Sequence, residues 1–108
     1  MGKHQALSRS ADFQAVMREG TVTRGSGMIV YVRRGGADAV RLGLAVRSAG
    51  ATTRNRVKRR LRAALQEVET PPGTDVMVKA GPGAAIVEFQ ELVKTFQRAL
   101  TAAERGRA

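Results

Sequence analysis

The sequence predicts an α+β fold, one small domain of 108 residues with the element order α-β-β-β-α-β-α. Three observations carry this. Apolar residues recur at helical spacing in three segments, β-branched runs bounded by glycine lie between them, and Pro-Gly clusters separate the last elements. A chain of this length supports a single core that buries roughly two thirds of its unfolded surface. The domain is expected to span 1–108, with an ordered core over about 7–104 and disorder confined to the tails. No internal repeat is present.

The first helix is expected over 10–19. Ser10 can cap it, Asp12 suits the positive end of its dipole, Phe13, Val16 and Met17 recur at i, i+3 and i+4, and Gly20 stops it. Segments 21–24, 28–33 and 40–47 read as three strands joined as hairpins. In the third, Leu42, Leu44 and Val46 alternate with Arg41, Gly43 and Ala45, which gives one core face and one face of small or basic side chains. A second helix is expected to start near Thr52 or Thr53, either of which can cap it, and to stop before Pro71-Pro72-Gly73. Its apolar stripe is Val57, Leu61, Ala64, Leu65 and Val68. Segment 74–80 reads as a fourth, mostly buried strand that leaves through Gly81-Pro82-Gly83. The last helix, 84–104, carries Phe89, Leu92, Val93, Phe96, Ala99, Leu100 and Ala103 on one face.

Nineteen Lys and Arg stand against nine Asp and Glu, a formal net charge of +10 and a pI near 11.6. Such a body attracts polyanions, although charge alone does not separate nucleic acid from an anionic membrane surface. Six of the basic residues fall within the nine positions 54–62, which hold no acid. On the helical wheel Arg54, Lys58 and Arg62 run down one flank of the apolar stripe with Asn55 beside them, Arg56 and Arg60 run down the other, and Arg59 points outward. A solvated face normally mixes Glu with Lys, and solubility does not require arginine. Arginine's planar fork matches phosphate oxygens and stacks on bases, so nucleic acid is the preferred partner. A membrane-surface helix would carry bulkier apolar residues, and this stripe is committed to the core.

Several chemistries are excluded. Without cysteine there is no disulfide framework, thiolate nucleophile or Cys-ligated metal, and the lone His4 falls in a tail expected to fray. There is no Ser/His/Asp set, no phosphate-cradling glycine motif and no isolated carboxylate pair suited to acid/base work. No apolar stretch approaches the roughly 20 residues of a membrane helix, and no signal peptide is evident, so a soluble cytoplasmic protein is expected. Phe89 and Phe96 belong to the core stripe. Phe13 and Tyr31 fit either packing of the first helix on the sheet or a platform on which unpaired bases stack. Alternation puts Tyr31 opposite Val30 and Val32, which favours an exposed ring.

Arg54-Asn55-Arg56 followed by Val57-Lys58-Arg59-Arg60-Leu61-Arg62 closely resembles the signature of the bacterial ribonuclease P protein component, in which Arg-Asn-Arg opens the RNA-binding helix. Asp12-Phe13-Gln14-Ala15-Val16, Val30-Tyr31-Val32, Arg41-Leu42-Gly43-Leu44-Ala45-Val46, Thr74-Asp75-Val76 and Gly81-Pro82-Gly83-Ala84-Ala85 are similar to further family segments in the family's order. The resemblance covers about residues 7–100. It implies a left-handed βαβ crossover, against the usual statistics. It also implies a protein that assists a catalytic RNA in removing the 5′ leader from precursor tRNA, with the RNA doing the chemistry and holding most of the magnesium. The partners implied are ribonuclease P RNA, one protein per RNA, and precursor tRNA. By the same resemblance, Phe13, Met17 and Tyr31 would line the leader cleft, with Met17 where the family often has an aromatic. Arg54, Asn55, Arg56, Lys58, Arg59, Arg60 and Arg62 would face RNA. The loop 47–53 is shorter than the family's and lacks its lysines and asparagine. A ribosomal or other structured-RNA-binding protein is the alternative reading; a major-groove DNA binder is a third, without a helix-turn-helix pattern.

Overall fold

A computed structural model describes residues 4–35, 38–48 and 50–106. Gly36 of the expected strand-ending Gly35-Gly36 pair, Ala49 of the loop before the basic helix, and the chain ends 1–3 and 107–108 lie outside the described residues. The elements are β1 (Gln5–Ala6), α1 (Ser10–Glu19), β2 (Thr21–Gly25), β3 (Met28–Arg34), β4 (Arg41–Val46), α2 (Ala51–Gln66), β5 (Thr74–Ala80), a 3-10 turn (Pro82–Ala85) and α3 (Phe89–Arg105). The strands form one sheet in the order β1-β4-β5-β3-β2.

Only one of the expected hairpins forms. β2 and β3 pair antiparallel across Ser26 and Gly27, both with positive φ (56° and 75°), the two-residue turn whose twist matches that of the strands. Serine is strained there, and α3 holds it: the Ser26 hydroxyl lies 2.8 Å from Thr95 Oγ1 and donates to the Glu91 carbonyl at 3.1 Å. β3 and β4 are not neighbours. β5 lies between them, antiparallel to β3 and parallel to β4. The reason is in its sequence: Thr74, Asp75, Val76, Met77 and Val78 are buried on both faces, which an edge strand would leave in water.

Met28, Val30 and Val32 of β3, Leu42 of β4, and Val76, Val78 and Ala80 of β5 point to one face. There they meet Val57, Leu61, Ala64, Leu65 and Val68 of the α2 segment and Leu92, Val93, Phe96, Ala99 and Leu100 of α3, so both expected stripes lie in the core. α1 covers the opposite face over a smaller cluster, Leu7, Val16 and Met77, with Phe13, Met17 and Tyr31 packed around it.

The β4-α2-β5 connection is left-handed. Leu42 faces α2 and accepts the Leu7 N–H at 3.0 Å, whereas Arg47, one of the alternate residues, donates to the Ala80 carbonyl at 2.8 Å. On an ascending strand, an L-residue whose side chain points at the viewer turns its own N–H and C=O to the right. With α2 in front, β1 is therefore to the right of β4 and β5 to its left, the opposite of the common crossover.

Several boundaries differ from expectation. His4, Gln5 and Ala6 are not a frayed tail: His4 is half-buried, and Gln5–Ala6 pair in parallel with β4, where Gln5 N–H donates to the Val40 carbonyl at 2.9 Å. Neither Ser10 nor Thr52 or Thr53 caps a helix. α1 and α2 begin after Arg9 and Gly50 without side-chain caps. The last helix begins at Phe89 rather than residue 84, because Arg60 donates to the carbonyls of Ala84 (2.6 Å) and Val87. Those carbonyls then serve the guanidinium instead of a first helical turn.

Candidate RNA-binding surface

The buried stripe of α2 fixes which way its cations face. Asn55, Arg56, Arg59 and Arg62 are exposed, and Arg54, Lys58 and Arg60 are half-buried. Arg54 Nη1 donates to the Ser48 carbonyl at 2.8 Å and so ties the helix to the shortened loop before it. Arg60 is committed to the turn before α3, so of the six basic residues expected to face RNA it alone spends two guanidinium donors inside the fold. No ion pair among the described residues involves an α2 side chain, and the chain holds no acid from 39 to 66. The helix therefore presents uncompensated charge, with arginine forks free to take phosphate at Arg56, Arg59 and Arg62.

On the α1 face, strand register arranges the side chains in three rows. The first is Arg33, Asp75 and Arg41; the second Val22, Tyr31, Met77 and Gly43; the third Arg24, Ile29, Lys79 and Ala45. α1 lies over the first two. A Cβ on Gly43 would stand 2.9 Å from Phe13 Cε1 and 3.0 Å from Met77 Sδ, so the missing side chain is what lets the ring settle on the sheet. Phe13, Met17 and Tyr31 are all half-buried against the small cluster, so packing and an accessible edge coexist at each. The third row is open: Arg24, Ala45 and Lys79 are exposed and Ile29 half-buried. It lies beside α1, at the end of the sheet where β4 leads into α2. Arg24 and Lys79 are basic residues that sequence reasoning passed over, although Lys79 is the one exposed position in an otherwise buried strand.

The first row is an ion cluster around a fully buried carboxylate. Asp75 accepts from Arg41 Nε and Nη2, each at 2.8 Å, and from Arg33 Nη2 at 3.3 Å. Burial pushes its carboxyl up, but hydrogen bonds and charge from Arg41 and Arg33 together outweigh that and hold it below the ordinary carboxylate value. The Asp75 hydrogen bond raises Arg41 in turn. Arg41 Nη1 reaches Asp12 at 3.4 Å, and Arg33 Nη1 reaches Glu19 at 2.9 Å, so the cluster also holds α1. Among the described residues no group of three His, Asp or Glu is placed to hold a metal ion, and no helix is long and apolar enough to cross a membrane.

Comparison with known proteins agrees with this arrangement. The Ribonuclease P family profile matches residues 1–104. The ribonuclease P protein component of Acidothermus cellulolyticus is 37% identical over 100 residues, covering 87% of this chain and 83% of that protein. The component from Kocuria rhizophila is 37% identical over 103 residues, covering 92% and 91%. In three dimensions the chain is similar to the RNase P protein from Thermotoga maritima, with a TM-score of 0.69, 25% identity, and coverage of 92% and 96%. It shares the fold of the Staphylococcus aureus RNase P protein, with a TM-score of 0.73 at 23% identity and coverage of 94% and 97%. A core-anchored Arg-Asn-Arg helix, an open row beside α1, and these matches along nearly the whole length have one explanation: the chain belongs to the ribonuclease P protein family.

Proposed function

We propose that the protein works through two surfaces of the same ribonucleoprotein: α2 binds ribonuclease P RNA, and the cleft between α1 and the open row takes the 5′ leader of precursor tRNA. The chain is the protein subunit of the endoribonuclease, and the bond cleavage is carried by the RNA subunit. The observation that carries this division is the uncompensated charge of α2 on a helix whose apolar side is sealed in the core. Its exposed arginines face structured phosphates, while the cleft combines the half-buried Phe13, Met17 and Tyr31 with Arg24 and Lys79, a combination suited to a single strand. Magnesium belongs with the RNA in this reading. The protein neutralises phosphates and lowers the ion concentration that the RNA needs. One protein per RNA, acting in the cytoplasm, completes the proposal.

Reconstitution with a bacterial ribonuclease P RNA at limiting magnesium tests it. Added protein is expected to raise precursor-tRNA cleavage and to tighten binding of leader-bearing over leaderless substrate. Unchanged cleavage would overturn the assignment for that RNA, and affinity that ignores the leader would favour a general structured-RNA binder.

A further inference from the structure

α1 carries two of the five residues placed at the cleft, Phe13 and Met17, yet its apolar attachment is slight. Val16 is its only fully buried residue, and no side chain caps its start. What orients it is ionic. Asp12 and Glu19 lie seven residues apart, about two turns and ~10.5 Å of helix, and so share one face. Their partners, Arg41 on β4 and Arg33 on β3, lie on either side of Asp75 in the same register row, two strand spacings or roughly 9.6 Å apart. The helix repeat and the sheet spacing match, which lays α1 across the strands. Each arginine turns one part of its guanidinium to Asp75 and its Nη1 to α1. Phe13 and Met17, one turn apart, lie together on one flank of the Asp12–Glu19 face, so any roll of α1 moves both against Tyr31.

We infer that Asp75 is a positioning residue for the leader: by aligning Arg41 and Arg33 it sets the height and roll of α1, and with them the width of the cleft. This rests on the leader-binding reading of the cleft. Asp12 and Glu19 are the means by which that alignment reaches the helix, and neither lines the open row.

The test compares wild type, Asp12→Asn/Glu19→Gln, Asp12→Glu and Asp75→Asn in the reconstituted holoenzyme. Affinity is measured for precursor tRNA with and without its leader, and for ribonuclease P RNA alone. Tyr31 is the only tyrosine and there is no tryptophan, so its emission reports directly on the packing beside α1. The double variant is expected to keep its thermal transition and its affinity for ribonuclease P RNA. It should lose about threefold to tenfold in leader-dependent affinity, the scale of partly exposed ion pairs, with a changed Tyr31 emission. Asp12→Glu, which keeps the charge, should retain most of the wild-type leader discrimination. Asp75→Asn should show the larger effect if it folds, and the double variant decides the matter if it does not. If wild type discriminates by leader and the folded double variant discriminates equally, the positioning role is wrong. If wild type itself shows no leader preference, the reading of the cleft fails first.

Discussion

At the residue scale, the same side-chain type does different work according to where α2 puts it. Arg59 and Arg62 are exposed and make no side-chain hydrogen bond or ion pair among the described residues, so on the proposed reading their contribution belongs to the RNA-bound state. Changing either to alanine is expected to leave thermal stability within about 0.5 kcal/mol. The magnitude of the salt dependence of RNA binding should fall by about one for each phosphate contact removed. An unchanged slope in a salt titration would take that residue off the RNA. The wheel distinguished the two flanks of the stripe, but Arg60 shows the limit of a wheel. Its flank was legible, whereas the carbonyls it reaches belong to residues 24 and 27 positions further along.

At the scale of elements, Arg60 acts as a brace between α2 and α3. It takes two carbonyls of the turn that precedes α3, and the turn holds Ile86 almost fully exposed at its tip. Arg60→Ala is therefore expected to destabilise the fold by about 1.5–3 kcal/mol, the value of hydrogen bonds to a charged donor, with little change in the salt slope. Denaturant unfolding beside the binding assay separates this from the behaviour of Arg59. Periodicity exposed both long helices and their core stripes because those patterns are local. It could not show that β5 divides β3 from β4, since strand order depends on pairings between distant segments. It also missed β1, two residues with no pattern of their own, and the Asp75 cluster, whose members meet only through register. The Tyr31 face was legible from alternation alone, and the open basic row was not.

For the molecule as a whole, the basic start of α2 and an acid-bearing hollow lie at opposite ends of the sheet. α2 starts at the C-terminal end of β4, among cations, while Glu19, Glu69 and Glu104 line a hollow with Arg33 and Arg34 at the other end of the sheet. Among the described residues, the one carboxylate placed inside the fold is Asp75. Because its folded pKa lies below that of the unfolded chain, its contribution to stability is complete above about pH 4, the ordinary carboxylate range. That contribution is lost as pH falls through the lower folded value. Acid titration of wild type is expected to show this loss, and Asp75→Asn to lack that limb while starting about 3–5 kcal/mol less stable, the cost of leaving its arginines unpaired. An identical acid limb in the variant would assign the loss to other carboxylates.

The central place of β5 also orders events in time. β5 is the last strand made and the middle strand of the sheet, so two of the four strand pairings wait for it. Contacts between such distant segments slow folding. Until residue 80 has been synthesised, α2 has no complete sheet to cover and α1 has no Asp75 to align its arginines. The arrival of one strand closes the core on one face and brings Asp75 to its arginines on the other, which couples α2 and the proposed leader surface in a single late step of folding.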